Sequence, residues 1–177
     1  MKDELAHIEN ELLVMDAQDG NLQAMERLVD RWQKRLWRYA FRLTADREAA
    51  WDITQESWLG IIKGLRKLRD PANFKAWAYR IATNKSLDWM KARSAVKEVC
   101  IEDVPEQGQE KRTDTGVAEL LEKLDATKRA ILSLYYFEQL SIAEISVALG
   151  IPKGTAKSRL HNARKTLKEL WRRHAEQ

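Results

Sequence analysis

Apolar residues recur every three or four positions along most of this chain, and the strict alternation of a half-buried strand is absent. One apolar stripe follows Asn21, a residue suited to capping a helix, and runs on to Leu43. Another follows Asp46, and a third begins after Asp70-Pro71, where proline disfavours a helical residue before it. With only 7 Gly and 3 Pro, the pattern predicts an all-α protein.

The helical period is interrupted once, between Val96 and Gly116, where Glu, Gln, Asp, Thr and Gly replace the apolar stripe. Such a composition is typical of a flexible connection. We therefore predict two small helical domains, residues 1–97 and residues 116–177, joined by a flexible linker at 98–115. The second domain is close to the size at which a single core is only marginally stable.

Charge is distributed unevenly, although the net charge is only +4. The first thirty residues are acidic, whereas residues 63–97 and 153–173 are basic. Two separated basic patches fit a protein that touches a polyanion at two places. The competing interpretation is that these basic residues only form solvent-exposed helix faces.

Several classes of protein are disfavoured by composition. Cys100 is the only cysteine, so neither an internal disulfide nor a cysteine-based zinc site is expected. The N-terminus lacks the apolar core of a signal peptide, and no apolar run approaches the roughly 20 residues of a membrane span. We expect a cytoplasmic protein that uses no cofactor or metal.

The segment around residues 140–164 carries the most specific motif. Ser141 and Glu144 have the spacing of a capping box. Gly150 suits a helix end in the left-handed conformation, and Pro152 suits the start of the next helix. A short helix, a glycine turn and a second helix predict a helix-turn-helix. On the second helix, Ala156 and the apolar residues in register with it leave a polar side suited to phosphates and base edges.

The N-terminal domain contains two further clusters. Asp52, Gln55, Glu56 and Leu59 lie on one side of a helix and suggest a protein-docking face flanked by Trp58, although a solvated face has the same chemistry. In residues 74–93, aromatic and basic side chains interleave, as in proteins that stack unpaired bases at about 1–3 kcal/mol each. The competing interpretation is that the aromatic residues, Trp77 and Trp89 above all, belong to the core.

These segments resemble the sigma-70 family, specifically its ECF members, which keep only sigma regions 2 and 4. Residues 50–59 (AWDITQESWL) resemble region 2.2, residues 74–93 resemble regions 2.3 and 2.4, and residues 138–170 resemble region 4.2. The resemblance implies a sigma factor that binds core RNA polymerase and directs promoter-specific initiation. An anti-sigma factor is then an expected partner, and no small-molecule substrate is expected.

The resemblance also implies roles for individual residues. Those expected to contact the β′ clamp helices of core RNA polymerase are Asp52, Gln55, Glu56 and Leu59. Those expected to bind the single-stranded −10 element are Asn73, Phe74, Arg80, Asn84, Lys85, Asp88, Lys91 and Arg93. Those expected to bind the duplex −35 element are Thr155, Lys157, Ser158, Arg159, His161, Asn162 and Lys165. Exposed apolar residues around Leu134, Tyr135 and Tyr136 would dock the β flap.

Two positions depart from the family pattern, which usually has valine at Ala156 and often has arginine at Asn162.

Two other functions compete with the sigma interpretation. A stand-alone helix-turn-helix regulator would more often carry a ligand pocket or a dimer helix in place of the clusters in residues 50–93. A helical enzyme using Asp52 and Glu56 would need a pocket and a partner base, and the sequence suggests neither. We therefore expect a protein that is not an enzyme.

Overall fold

The computed structural model describes residues 2–99 and 116–175, and all regular structure in those ranges is helical. The α-helices are α1 (Lys2–Gln18), α2 (Leu22–Thr44), α3 (Arg47–Gly64), α4 (Phe74–Val99), α5 (Val117–Glu122), α6 (Ala126–Leu132), α7 (Ile142–Leu149) and α8 (Lys153–Ala175). This confirms the all-α prediction. Helix α4 extends two residues into the segment predicted as a linker, and residues 100–115 of that segment lie outside the described residues.

Side-chain caps fix where the helices begin. The Asn21 side chain accepts a hydrogen bond from the Ala24 N–H at 3.2 Å and so caps α2. Asp46 caps α3 in the same way through the Ala49 N–H at 3.0 Å. Both caps were predicted from the sequence, and each satisfies one of the orphan N–H groups at a helix start. Asp125 provides a further cap, on α6.

Helix α2 forms the centre of the N-terminal part because one side of it is buried along its whole length. Its Trp32 ring meets the rings of Phe74 and Tyr79 edge-on, with centroids 5.5 and 6.1 Å apart. Tyr39, fully buried, shares a hydrogen bond of 2.7 Å with Thr83. Burial raises the pKa of Tyr39 well above its usual range, so the phenol stays neutral in the core.

The C-terminal part is organised around the buried Arg129 of α6. Its guanidinium donates to the carbonyl oxygens of Leu121, Glu122 and Leu124 at 2.5–3.0 Å, which satisfies the end of α5. It also donates to the Leu43 carbonyl at 2.7 Å, at the end of α2 in the other part of the chain. One arginine therefore ties together three chain segments.

The two parts pack against each other, with α7 on α4 and α6 on α2. The contact includes a polar cluster around Glu138, whose carboxylate pairs with Arg42 and accepts a hydrogen bond from the Tyr79 hydroxyl. Burial, together with the negative charge of Glu138, raises the pKa of Tyr79, which keeps the hydroxyl as a donor. The main apolar core is continuous across this contact.

Candidate nucleic-acid interface

Helix α3 presents the predicted docking residues on its outer side. Asp52, Gln55, Glu56 and Leu59 are all exposed, and 58% of the Leu59 surface is accessible. The inner side of the same helix is anchored in the core by residues such as Ile61. An exposed leucine beside two carboxylates and an amide matches the mixed composition of a protein-binding surface.

The aromatic residue beside this face is not the one that the sequence suggested. Trp58 is buried and packs in the main core, so it cannot flank the docking face. Trp51 is 43% exposed and Ile62 is 50% exposed. Their spacing from Leu59, eight and three residues, places both on the same side of the helix. The exposed face is therefore longer and more apolar than the sequence pattern predicted.

Helix α4 and the turn before it carry the residues predicted to bind the −10 element. Asn73, Arg80, Asn84 and Asp88 are exposed. The Asn73 side chain donates to Asp70 at 2.8 Å within the 3-10 turn Pro71–Asn73, which fixes its orientation. Lys91 and Arg93 lie exposed further along the same helix.

Phe74 departs from the prediction. It is fully buried against Trp32, so its ring offers no surface to a base. The physical reason is that Phe74 begins α4 on the side that faces the core, where it fixes the preceding turn to α2. The interpretation of the aromatic residues as core is also correct for most of the Trp77 and Trp89 surfaces, since both are half-buried.

Lys85 connects the −10 set with the docking face. Its ammonium lies 2.9 Å from the Glu56 carboxylate on α3. The hydrogen bond to Glu56 raises the pKa of Lys85 and holds the side chain against α3. The two predicted sites therefore adjoin each other on the surface.

The helix-turn-helix has the predicted local structure. The Ser141 hydroxyl accepts from the Glu144 N–H at 3.2 Å, while the Glu144 carboxylate accepts from the Ser141 N–H at 2.7 Å. Gly150 ends α7 with φ +64°, a conformation that glycine adopts without the strain a side chain would add. Helix α8 then starts at Lys153, directly after Pro152.

Helix α8 divides into a buried and a polar side. Ala156, Leu160 and Ala163 are buried and hold the helix to the core. The predicted −35 residues point away from it, and all are exposed except Thr155, which is half-buried: Thr155, Lys157, Ser158, Arg159, His161, Asn162 and Lys165. A long helix with an unobstructed basic side has the shape and charge needed to enter a major groove.

The turn before α7 corrects one expectation. Leu134 is fully buried, because residues Ser133–Phe137 form a π-helical turn that directs it into the core. Tyr136 remains exposed, and the Arg164 guanidinium lies over the rings of Tyr135 and Tyr136, 4.4 and 5.4 Å from their centroids. Arg164 was missed in the sequence. Its position two residues after Asn162 was visible there, but its aromatic partners were not.

Comparison with known proteins identifies both parts of the chain. Residues 28–96 match the family model of Sigma-70 region 2, and residues 116–167 match that of Sigma-70 region 4. The ECF RNA polymerase sigma factor SigL of Mycobacterium tuberculosis is 35% identical over 159 residues, covering 82% of this chain and 90% of SigL. SigE of Mycolicibacterium smegmatis is 31% identical, covering 92% of this chain and 68% of SigE.

This chain belongs to the ECF family of RNA polymerase sigma factors. Its fold agrees with that assignment, since the structure of CnrH in complex with the cytosolic domain of CnrY matches it with a TM-score of 0.70. That match has 25% identity and covers 92% of this sigma factor and 97% of CnrH. Within the described residues the sigma factor has no cluster of side chains suited to a metal ion and no helix able to cross a membrane.

Proposed function

We propose that this sigma factor binds core RNA polymerase through the outer side of α3 and reads promoters with α4 and α8. The division of α8 carries the proposal: Ala156, Leu160 and Ala163 are buried, and seven residues suited to phosphates and bases lie on the other side. The exposed side of α3 would meet the β′ clamp helices, and Tyr135 with Tyr136 would meet the β flap. The protein performs no bond chemistry and acts in the cytoplasm.

The two DNA elements would be read in different states. The predicted −10 set combines Asn73 in a fixed turn with amide, cationic and acidic side chains exposed along α4, which suits contact with unpaired bases. The set on α8 suits duplex DNA, where cations contact phosphates and Asn162 faces a base edge. An anti-sigma factor is a further proposed partner, since the similarly folded sigma factor RpoE of Bartonella quintana is known in complex with the anti-sigma factor NepR. A stand-alone regulator is not favoured, because the relatives at 31–35% identity are sigma factors.

Co-elution with bacterial core RNA polymerase on size exclusion tests the docking face. The wild-type chain should co-elute, and an Asp52→Ala/Glu56→Ala variant should lose most of the bound fraction. A Glu26→Ala/Asp30→Ala variant is the matched control, because it removes the same charge from exposed positions on α2. If both double variants bind as the wild type does, α3 is not the docking face; if the wild type itself fails to bind, the proposed function is wrong.

A further inference from the structure

Four arginines form a row along α2, on the side that faces α1 and the C-terminal part. Arg31, Arg35, Arg38 and Arg42 are spaced by four, three and four residues, so they share one helix face over roughly 16 Å. Lys75, at the start of α4, stands beside them. Together they line an open groove of about 710 Å³ that α1 and residues 137–139 flank on its other sides. None of these five cations belongs to the proposed polymerase, −10 or −35 sets.

The groove holds more positive charge than its carboxylates neutralise. Arg31 pairs with Glu9 at 2.5 Å, and Arg42 pairs with Glu138. The three other cations have no carboxylate partner among the described residues: Arg35 lies 5.3 Å from the centroid of the Trp32 ring, Arg38 is exposed, and Lys75 reaches the Gln139 carbonyl oxygen at 3.5 Å.

This arrangement has a cost for α2. Arginines three or four residues apart repel each other on a helix, and the row contains three such pairs in succession. Only the two end members of the row are compensated by acidic partners. A row of this kind concentrates positive potential inside a concave surface, where it acts more strongly than on an open helix face.

The chemistry of the row favours phosphate. The guanidinium group is planar, weakly hydrated and able to hold a phosphate through two parallel hydrogen bonds, whereas a lysine offers only a point charge. Successive arginines along one line fit an anion whose charges also follow one another along a line. The volume lies within the roughly 300–1,000 Å³ of small-ligand sites.

We propose that this arginine groove binds a small anion with two or more linked phosphoryl groups. An inorganic phosphate chain and the phosphate chain of a nucleotide share this chemistry. The site lies where residues 137–139 of the C-terminal part meet α2, so the bound anion would adjoin the contact between Arg42 and Glu138.

Calorimetric titration of the full chain with tripolyphosphate, at fixed ionic strength, tests the proposal. The wild type should bind, and Arg35→Gln/Arg38→Gln should weaken binding about tenfold or more, since two charged donors are lost. Arg69→Gln/Arg172→Gln is the matched control, because it removes the same charge from exposed positions outside the groove. That variant should bind within a factor of about two of the wild type, as expected of charges that act only at long range.

Two further titrations use the same proteins. Lys75→Gln should also weaken binding of tripolyphosphate. This substitution removes a charge of the groove from a different helix and leaves the arginines in place. Adenosine and guanosine triphosphates distinguish the sources: tighter binding than tripolyphosphate indicates a nucleotide, and equal binding indicates an inorganic chain. The proposal is overturned if the wild type does not bind tripolyphosphate, or if the groove variant and the control variant lose the same amount of affinity. It is also overturned if a glutamate hexapeptide or single-stranded DNA binds more tightly than tripolyphosphate.

Discussion

At the scale of single residues, Asn162 is the position where this sigma factor should differ from relatives that carry arginine there. It lies exposed on the polar side of α8, three residues before Lys165. Asparagine pairs with the N6 and N7 edge of adenine, whereas arginine pairs with the O6 and N7 edge of guanine, and each good pair contributes about 1–3 kcal/mol of discrimination.

We therefore expect Asn162→Arg to shift the preferred base at one position of the −35 element from adenine to guanine. Selection from a randomised −35 library by polymerase carrying each variant measures this directly. His161→Ala serves as a comparison, since it removes a neighbouring side chain of the predicted −35 set without introducing a group that pairs with guanine. The same preferred sequence in the wild type and in Asn162→Arg would show that this side chain does not face a base.

The structural role of Arg129 could not be predicted from the residues beside it in the sequence. It sits beside Lys128, yet it is buried while Lys128 remains partly accessible. Arg129→Met should destabilise the protein by about 2–4 kcal/mol, because several carbonyl groups lose a charged donor inside the structure. Urea denaturation measures this, and Lys123→Met, at an exposed position, should change stability by less than about 0.5 kcal/mol. Equal effects of the two substitutions would contradict the assigned role.

Residue-level prediction from the sequence succeeded where the signal was local and failed where it depended on distant partners. The exposure of Asp52, Glu56 and Leu59 follows from their spacing within one helix. The burial of Phe74 and Leu134 follows from which way their turns face, and spacing alone does not encode that. The arginine row on α2 was readable as a spacing, but only the tertiary structure shows that it lines a groove.

At the scale of elements, the start of α3 couples stability to pH. The carboxylate of Asp46 accepts a hydrogen bond from the Ala49 N–H and pairs with Arg93 at 2.9 Å, and both interactions lower its pKa below the usual 3.8. A lowered folded-state pKa means that the stabilisation is present above 3.8 and is lost as pH falls through the folded value.

Asp46→Asn should remove this part of the pH dependence. Asparagine still caps the helix, but it neither titrates nor attracts Arg93 as a carboxylate does. The wild type should be the more stable protein near neutral pH, and the difference should shrink as pH falls below 3.8. Free energies of unfolding from urea titrations across this range measure it. A difference that stays constant with pH would contradict the assignment.

Elements were predicted best where side chains bond to their own backbone. The capping box of Ser141 and Glu144, and the left-handed Gly150, need only residues that lie a few positions apart, and all were found as predicted. The π-helical turn Ser133–Phe137 was not predicted, because its hydrogen bond from the Glu138 N–H to the Ser133 oxygen spans five residues and leaves no sequence signature.

At the scale of the whole molecule, the packed arrangement differs from what a promoter requires. The −35 and −10 elements are named for their positions on the promoter, which are about 25 base pairs apart. This separation is roughly 85 Å of B-DNA at 3.4 Å per base pair. Helix α7 contacts both α4 and α8, so the two proposed reading surfaces are held close together. We therefore predict that the contact between α4 and α7 opens when α4 and α8 bind the two elements together.

Glu138 is the residue most directly placed to control this opening, because its side chain is only 9% exposed and lies between Arg42 and Tyr79. Glu138→Gln should weaken the contact by on the order of 2 kcal/mol or more, since removing one partner leaves a poorly solvated charge. Small-angle scattering should then give a larger radius of gyration than for the wild type. Glu119→Gln, at an exposed position, should leave the radius unchanged; an unchanged radius in Glu138→Gln would contradict the predicted role.

The arrangement of the two parts could not be predicted from the sequence. The existence of two parts follows from the interruption of the helical apolar pattern. Their packing does not, because Arg42 and Tyr79, the partners of Glu138, lie 96 and 59 residues away from it along the chain. Pairings at such separations depend on tertiary structure, which amphipathic spacing does not specify.

The most direct test of the central claim is transcription by core RNA polymerase, with and without the purified sigma factor, from a library randomised across both promoter elements. Sequencing of transcript 5′ ends should reveal two enriched motifs at a fixed spacing that appear only when the sigma factor is present. Transcripts with no enriched motif, or with the same motifs in its absence, would show that this chain does not direct promoter choice.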